Sequence, residues 1–376
     1  MSSIKKEEDG KYSFVVDIGK NPFTGKRRQI RRKGFNTIKE AKEAMKTILL
    51  KAEANRDLNN DISNAKFMDF LEQWIEHKKI AVQYSTYSRY KQTKKYLLEP
   101  YFQNIKIYQI NENVLNNFIL SLVKQGKAPS TIRRAWSTVR SALKKAAKKK
   151  GFNIEICEDI LLPQMTNNSR VWTEEQINKF LNAPNFCRRL SRHYNASAFA
   201  LLTGMRKQEV LGLRWKDIYV DEKVCHIQQT VTETSGGYKV LFRGKTDTSL
   251  GKVALPDKAF EYLRRQKVQQ ENDKNLLGDH YNDQDLVFCR KDGGVLKPSL
   301  LNNGFKLCIN HIGLPYIRFH DLRHTHATYL LSKGINPKVV QERLRHKDIR
   351  TTLGIYGHVT LTMQKEAADL LDKSFN

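Results

Sequence analysis

The spacing of apolar residues changes character several times along the chain, and each change marks an element. Tyr12 to Ile18 is rich in β-formers and predicts a strand. Asn21-Pro22-Phe23-Thr24-Gly25 predicts a turn, and Lys26 to Lys33 a second, very basic strand. Asn36 or Thr37 is placed to cap a helix through Ala41, Ala44, Met45, Ile48 and Leu49. After the polar stretch Asn59 to Asn64, read as a linker, a helical region runs to about Gly151. Phe67, Phe70, Leu71, Trp74 and Ile75 recur there at helical spacing. Ser85 is placed to cap a helix carrying Tyr87, Tyr90 and Leu97, and Ser130 one with Ile132, Trp136, Val139 and Leu143 on a single stripe. Such stripes are the usual mark of core-facing helices.

Ile156 to Val171, with Pro163, reads as a connector, and Thr173-Glu174-Glu175-Gln176 is a capping box that opens a new helix. From there the pattern is mostly helical. The exceptions are Val224 to Val231 and Tyr238 to Phe242, which predict a β-hairpin around Ser235-Gly236-Gly237, and a short third strand at Val253 to Leu255. The expected architecture is multidomain and mainly α with small β-sheets. It has a β-sheet plus helix module (1–58), a helical domain (64–155) and a mixed α+β domain (170–376). The length of 376 residues fits two or three domains of ordinary size.

Charge narrows the function. The net charge is +27, and it is gathered in blocks. An excess of that size and arrangement points to a polyanion, with nucleic acid the leading candidate over a charge that only aids solubility. Between Lys20 and Lys33 there are seven basic residues and no acidic one, among them Lys26, Arg27, Arg28, Arg31 and Arg32. Around the Trp136 stripe, Arg133, Arg134, Arg140, Lys144, Lys145 and Lys148 to Lys150 fill most of the remaining helix positions, with no carboxylate from Ala128 to Lys150. Unbalanced cations on one helix repel one another, and a phosphate backbone relieves that repulsion. The five scattered cysteines contain no Cys-x-x-Cys, which argues against a disulfide framework or a zinc site and for a reducing cytoplasm. No apolar run approaches the ~18 residues of a membrane span, and the first residues lack a signal-peptide core. No phosphate-binding glycine loop occurs, so no nucleotide, metal or other cofactor is expected.

The chemistry concentrates near the C-terminus. Phe319-His320-Asp321-Leu322-Arg323-His324-Thr325-His326 is followed by Leu344-Arg345-His346 and then by Gly354-Ile355-Tyr356-Gly357-His358. An upstream box reads Thr203-Gly204-Met205-Arg206-Lys207-Gln208-Glu209. Guanidinium is planar and permanently charged, so Arg323 can fork onto two phosphate oxygens. A histidine of near-neutral pKa can move a proton. A tyrosine, with a free pKa of about 10, becomes a nucleophile only where a base or several cations favour its phenolate. Taken singly, Arg206 and Glu209 would be an ordinary surface ion pair and His320 a structural histidine. His324 and His326 read as helix residues, since positions two apart face different ways. Gly204 is read as letting backbone approach a ligand.

In that order and spacing the boxes resemble the tyrosine recombinases of the phage-integrase family. The resemblance implies that Arg206 and Arg323 bracket one scissile phosphate and that Tyr356 attacks it, leaving a 3′-phosphotyrosyl bond and a free 5′ hydroxyl. It implies that Lys245, in Arg243-Gly244-Lys245-Thr246, protonates the leaving oxygen, with Lys239 and Lys252 as neighbouring rivals. His320 would transfer a proton and His346 would donate a hydrogen bond to the phosphate. Arg345 departs from the glycine common before that histidine. The first sixty residues are similar, more loosely, to an arm-type DNA-binding domain, and residues 64–155 sit where the family carries its core-site-binding domain. The implied partners are double-stranded DNA at core and arm sites, further copies forming a tetramer on DNA, and accessory bending or excision proteins. The tail helix predicted over Thr360 to Leu371 would dock on a neighbouring copy. Rival readings are a type IB topoisomerase-like enzyme, which relaxes supercoils without joining two sites, and a catalytically inert DNA-binding regulator.

Overall fold

The computed structural model describes residues 3–8, 10–20, 27–49, 65–150, 154–165, 170–183, 188–242, 251–350, 369, 371 and 372. The expected turn at 21–25, the linker at 59–64, the stop at Gly151 and the 360–368 and 370 parts of the tail helix lie outside these residues, while Asp369 and Leu371 at its end are helical. Two compact units divide the chain, Met1–Thr166 and Asn167–Asn376.

The first unit begins with an antiparallel sheet in the order β1 (Ser3–Lys6), β2 (Tyr12–Lys20), β3 (Arg27–Phe35). The strand β1 was not expected, because Ser3-Ile4-Lys5-Lys6 carries one apolar residue. Phe14 and Val16 of β2 are buried on the face covered by α1 (residues 38–49), whose Ala41, Ala44, Met45, Ile48 and Leu49 complete that small core. Thr37 caps α1: its Oγ1 accepts from the Glu40 amide at 3.2 Å, and the Glu40 carboxylate accepts from the Asn36 amide at 3.1 Å.

The helical part of this unit comprises α2 (Phe67–Lys78), α3 (Tyr84–Thr93), a π-turn at Lys94–Leu98 running into α4 (Glu99–Phe102), α5 (Glu112–Lys124) and α6 (Pro129–Lys150). Neither serine expected as a cap plays that part. Gln83 precedes α3 without a side-chain cap, and Ser85 lies inside its first turn. Ser130 is inside α6, which opens with Pro129, a residue whose fixed φ and missing N–H suit a first helical position. The stripe of α6 is core as its spacing predicts: Ile132, Trp136, Val139 and Leu143 are buried with Phe67, Leu71, Phe102 and Phe118. Arg133, Arg134, Arg140, Lys144 and Lys145 are exposed.

The second unit starts at α7 (Glu174–Leu181), whose capping box forms as expected, the Gln176 amide reaching Thr173 Oγ1 at 3.3 Å and the Thr173 amide reaching Gln176 Oε1 at 3.1 Å. There follow α8 (Arg188–Thr203) and the short α9 (Lys207–Gly212). Next come β4 (Ile218–Tyr219), β5 (Val224–Ile227), β6 (Gln229–Thr234), β7 (Gly237–Phe242) and β8 (Gly251–Ala254). The single strand expected from Val224 to Val231 is two strands that part at Gln228. β5 pairs with β4 and β8, whereas β6 pairs with β7 in the expected hairpin. The unit closes with α10 (Asp257–Leu277), α11 (Pro298–Ile312), α12 (Asp321–Ser332) and α13 (Pro337–Leu344). Its core gathers Phe180, Phe199, Tyr262, Phe288 and Phe305 around the buried flank of α8. No helix among the described residues is long and apolar enough to cross a membrane.

The end of α9 meets the sheet without slack. A Cβ on Gly212 would lie 2.8 Å from the Gln229 carbonyl oxygen and 2.9 Å from Thr230 Cα, both backbone atoms. We expect Gly212→Ala to destabilise this unit by about 1–3 kcal/mol, because the strand rather than a side chain must move. Urea unfolding of the variant at wild-type midpoint would contradict the contact.

Candidate active site

Three segments that are distant in sequence build the site: the α8–α9 junction, the start of α12 and the end of α13. The α8–α9 turn depends on Gly204, whose φ is +67°. Its absent Cβ is not room for a ligand, as the sequence reading had it. That space is closed by Leu344 Cδ2 at 2.5 Å and His326 Cδ2 at 2.8 Å, so the glycine serves the packing of α13 and α12 on the turn.

Arg206 is the residue before α9 and closes a capping box with Glu209. Its amide donates to Glu209 Oε2 at 2.9 Å, and its Nη1 donates to Oε1 at 3.0 Å. The two side chains do pair, but not as the ordinary surface ion pair of the alternative reading. The Glu209 side chain is wholly buried, while that of Arg206 stays 31% exposed, enough for an incoming anion to reach it. Arg206 Nη2 also donates to the Arg345 carbonyl at 3.0 Å.

Arg323, in the first turn of α12, is 3% exposed. Its Nη1 donates to the Gly204 carbonyl at 2.7 Å and its Nη2 to the Leu344 carbonyl. Two of the five guanidinium N–H donors are thereby used to join the three segments, and among the described residues the others have no protein acceptor. Burial, and then the charge of Arg206, lowers the Arg323 pKa to about 9; Glu209 opposes the shift and Arg345 adds a smaller repulsion. The group stays protonated at neutral pH.

The start of α12 is held independently. Asp321 is buried and takes Arg318 in a fork, Nε to Oδ2 at 2.9 Å and Nη2 to Oδ1 at 2.8 Å. Thr325 Oγ1 donates to the Asp321 carbonyl at 2.9 Å and accepts from the Trp172 amide at 3.3 Å. His320, immediately before the helix, stacks edge-on against His324 with centroids 5.1 Å apart. Desolvation, then the charges of His324 and Arg323, pushes the His320 pKa down to about 4. His346 is lowered to about 4 by burial and then by Arg323 and Arg206. Arg206, His320, Arg323 and His346 thus feel one another's charge, so these four sequence candidates share one site.

The end of α13 explains the departure at residue 345. Arg345 has φ 55° and ψ 47°, the left-handed conformation that favours glycine. Its amide still closes the helix on the Glu342 carbonyl at 2.9 Å, and the His346 amide reaches the Gln341 carbonyl at 3.0 Å. The turn that presents His346 therefore forms with arginine in the glycine position. Sequence reasoning missed what the Arg345 side chain does: its Nη2 meets Glu209 Oε2 at 2.5 Å. Burial alone would raise the Glu209 pKa, but Arg345 and Arg206 outweigh it and hold the carboxyl below its ordinary range. The signal in the sequence was the density of cations in Arg343-Leu344-Arg345-His346.

His324 and His326 were read as helix residues, one of them buried, and His326 is that one. It is buried, with Nδ1 2.8 Å from the Leu201 carbonyl and Nε2 accepting from Arg343 Nε at 3.0 Å. Those partners fix the neutral tautomer with its proton on Nδ1. Lys245 and Tyr356 lie outside the described residues. The rivals Lys239 and Lys252 are on β7 and β8.

The basic positions of the first unit differ among themselves. Arg27 Nε is 2.5 Å from Asp17 across the strand pair, and Arg31 is 3.7 Å from Glu7, so the run without acids along the sequence has acids beside it in the sheet. Arg32 is exposed, Lys26 lies outside the described residues, and the Arg28 side chain is not described. On α6, Arg133 Nε donates to the Pro163 carbonyl at 3.1 Å.

The chain is similar to known proteins over most of its length. Residues 3–52 match the family model of an arm DNA-binding domain, and residues 66–123 that of a phage integrase N-terminal SAM-like domain. The chain is similar to the ICEBs1 integrase of Bacillus subtilis, at 27% identity over 98% of this chain and 99% of that protein. Its fold is similar to the Tn1549 transposon integrase solved with transposon right-end DNA, at a TM-score of 0.68 and 20% identity over 82% of this chain and all of that one. It is also similar to a lambda integrase dimer bound to a core site, at a TM-score of 0.55 and 16% identity over 94% and 93% of the two chains. Residues 170–363, more than half of the chain, match the phage integrase family model, and the chain belongs to that family of tyrosine recombinases.

Proposed function

We propose that this recombinase cleaves and rejoins DNA through a covalent link to Tyr356, at a phosphate held between Arg206 and Arg323, and that it integrates or excises a mobile element. The observation that carries the reading is the convergence of those guanidiniums with His320 and His346, with Arg206 held by the buried Glu209. Attack on phosphorus places extra negative charge on the non-bridging oxygens, and preplaced cations stabilise that charge more than the ground state. The Tyr356 oxygen forms the new P–O bond while its proton passes to His320. The bond to O5′ breaks, and Lys245 protonates the departing oxygen. His346 donates to a non-bridging oxygen. The link conserves the phosphodiester, so a 5′ hydroxyl from a partner duplex reverses the step without ATP.

In this reading residues 1–58 engage arm-type sites, residues 64–155 engage the core site through α6, and residues 170–376 carry the chemistry. Four copies assemble on two duplexes, with bending or excision proteins as accessories, in the bacterial cytoplasm. Support for the DNA contacts comes from the exposed basic face of α6 and from the DNA complexes of similar fold.

Both His320 and His346 are neutral at neutral pH, each held to about 4. A neutral imidazole can accept the phenol proton and can still donate its own N–H.

A nicked duplex that traps the intermediate tests the nucleophile. Wild type should form a covalent adduct, and Tyr356→Phe should form none while binding DNA within about threefold of wild type. Adduct at the normal rate from Tyr356→Phe would refute the assignment.

In the arm module, Arg31→Gln with Arg32→Gln should weaken binding of arm-type DNA and reduce the salt slope by up to about 2, since each phosphate contact contributes about 0.9. An unchanged slope would remove these residues from the interface.

Acid should destabilise the second unit, and His326 reports it. Burial, then Arg343, lowers its pKa from 6.5 to about 3. Below pH 6.5 the unfolded chain binds a proton that the native site refuses, so stability present above pH 6.5 is lost progressively as pH falls toward 3. Glutamine can donate to Leu201 and accept from Arg343, so His326→Gln should flatten the decline in melting temperature between pH 6.5 and 4.5. Parallel curves for the two proteins would show that His326 contributes nothing to it.

A further inference from the structure

Residue 345 carries a long side chain where the backbone favours none, and that side chain is put to use. At φ 55° and ψ 47° an L side chain is disfavoured, yet the Arg345 side chain is only 9% exposed and ends on the fully buried Glu209. Its stem lies against Gly251 at the start of β8, where a Cβ would collide with Arg345 Cδ. Glu209 is also the carboxylate that orients Arg206, through Nη1 at 3.0 Å and the amide at 2.9 Å. Arg206 in turn donates to the Arg345 carbonyl at 3.0 Å. Backbone and side chain of residue 345 therefore act on the same catalytic arginine from two sides.

The two contacts differ in what they require. Any residue in the left-handed conformation supplies the carbonyl. Only a cation at 345 engages the carboxylate, and it changes the local charge. With glycine at 345, this carboxylate would balance Arg206 alone. With arginine, two guanidiniums share it, and the trio keeps a net positive charge in a water-poor setting, where such charge acts strongly on a developing oxyanion.

We infer that Arg345 is a positioning residue for strand cleavage: it fixes the Glu209 carboxylate that aims Arg206 and leaves the Arg206–Glu209–Arg345 group positively charged toward the phosphate. The inference rests on the proposed role of Arg206 at the scissile phosphate.

Arg345→Gly isolates the side chain, because it keeps the carbonyl and relieves the backbone. The test uses the full-length chain and a nicked duplex bearing the sequence that the wild-type chain selects from a random pool. Adduct formation is followed in single turnover at saturating DNA. Arg345→Gly should slow it by roughly 10- to 100-fold, the size of effect that follows loss of a partner that orients a functional group. DNA affinity should stay within about threefold, and the melting temperature should fall only modestly, since relief of the left-handed backbone offsets part of the lost buried pair. Arg345→Lys, or millimolar guanidinium added to Arg345→Gly, should restore part of the rate. In an Arg206→Ala background the loss should shrink to under about threefold, because the two residues act as a unit.

A wild-type rate from Arg345→Gly overturns the inference while leaving the cleavage mechanism intact. A rate lost together with affinity and melting temperature, and unmoved by lysine or guanidinium, also overturns it, since that is the mark of a fold contact. If wild type itself forms no adduct, the cleavage mechanism falls first and the role of Arg345 falls with it.

Discussion

A single buried guanidinium ties this active site together. Arg323 reaches the Gly204 carbonyl on one side and the Leu344 carbonyl on the other, so the α8–α9 turn and the end of α13 are registered against α12 by one charged side chain. Burying that charge is costly, and two carbonyl dipoles and the nearby Glu209 offset only part of it. The remaining deficit is visible in the Arg323 pKa, lowered to about 9 by burial and by Arg206. An anion placed between the guanidiniums relieves the same deficit. The interaction that assembles the site therefore also makes it favourable for an anion.

Around that bond the structure rations negative charge. Glu209 faces Arg206 and Arg345, while the buried Asp321 is forked by Arg318 at the start of α12. Asp321 fixes the helix that carries Arg323, and Glu209 fixes the turn that carries Arg206. Each acid aims a cation, and Glu209 is outnumbered. The glycines follow the same logic. Gly204 lets Leu344 and His326 pack against the turn, and Gly212 brings the other end of α9 onto β6, so a helix of only six residues is clamped at both ends.

Much of this was legible in the sequence where the signal was local. The capping box at Thr173 and the α6 stripe formed as their patterns required, because caps and amphipathic faces are set within a few residues. The Arg206 and His320-to-Arg323 boxes named groups that the fold does bring together. What escaped was decided across the fold. Val224 to Val231 reads as one strand, yet it divides at Gln228 because β5 finds β4 and β8 while β6 finds β7, a choice no local pattern records. The acid-free run from Lys20 to Lys33 gains Asp17 and Glu7 only when the sheet forms. Arg345 looked like a departure at a turn, and its partner is 136 residues away.

The division of labour among the cations follows from their chemistry. Arginine keeps its charge even when burial and its neighbours press against it, as at Arg323, and so it can hold a fixed field. Histidine yields under the same pressure. His320 and His346 lose their protons near pH 4 because desolvation and the surrounding guanidiniums disfavour a further positive charge. The field that favours an anion is therefore the same field that keeps the imidazoles neutral. Neutralising that field would have two effects at once, weakening the pull on an anion and letting the histidines charge, so in the proposed mechanism the electrostatic and proton-transfer roles cannot be tuned separately.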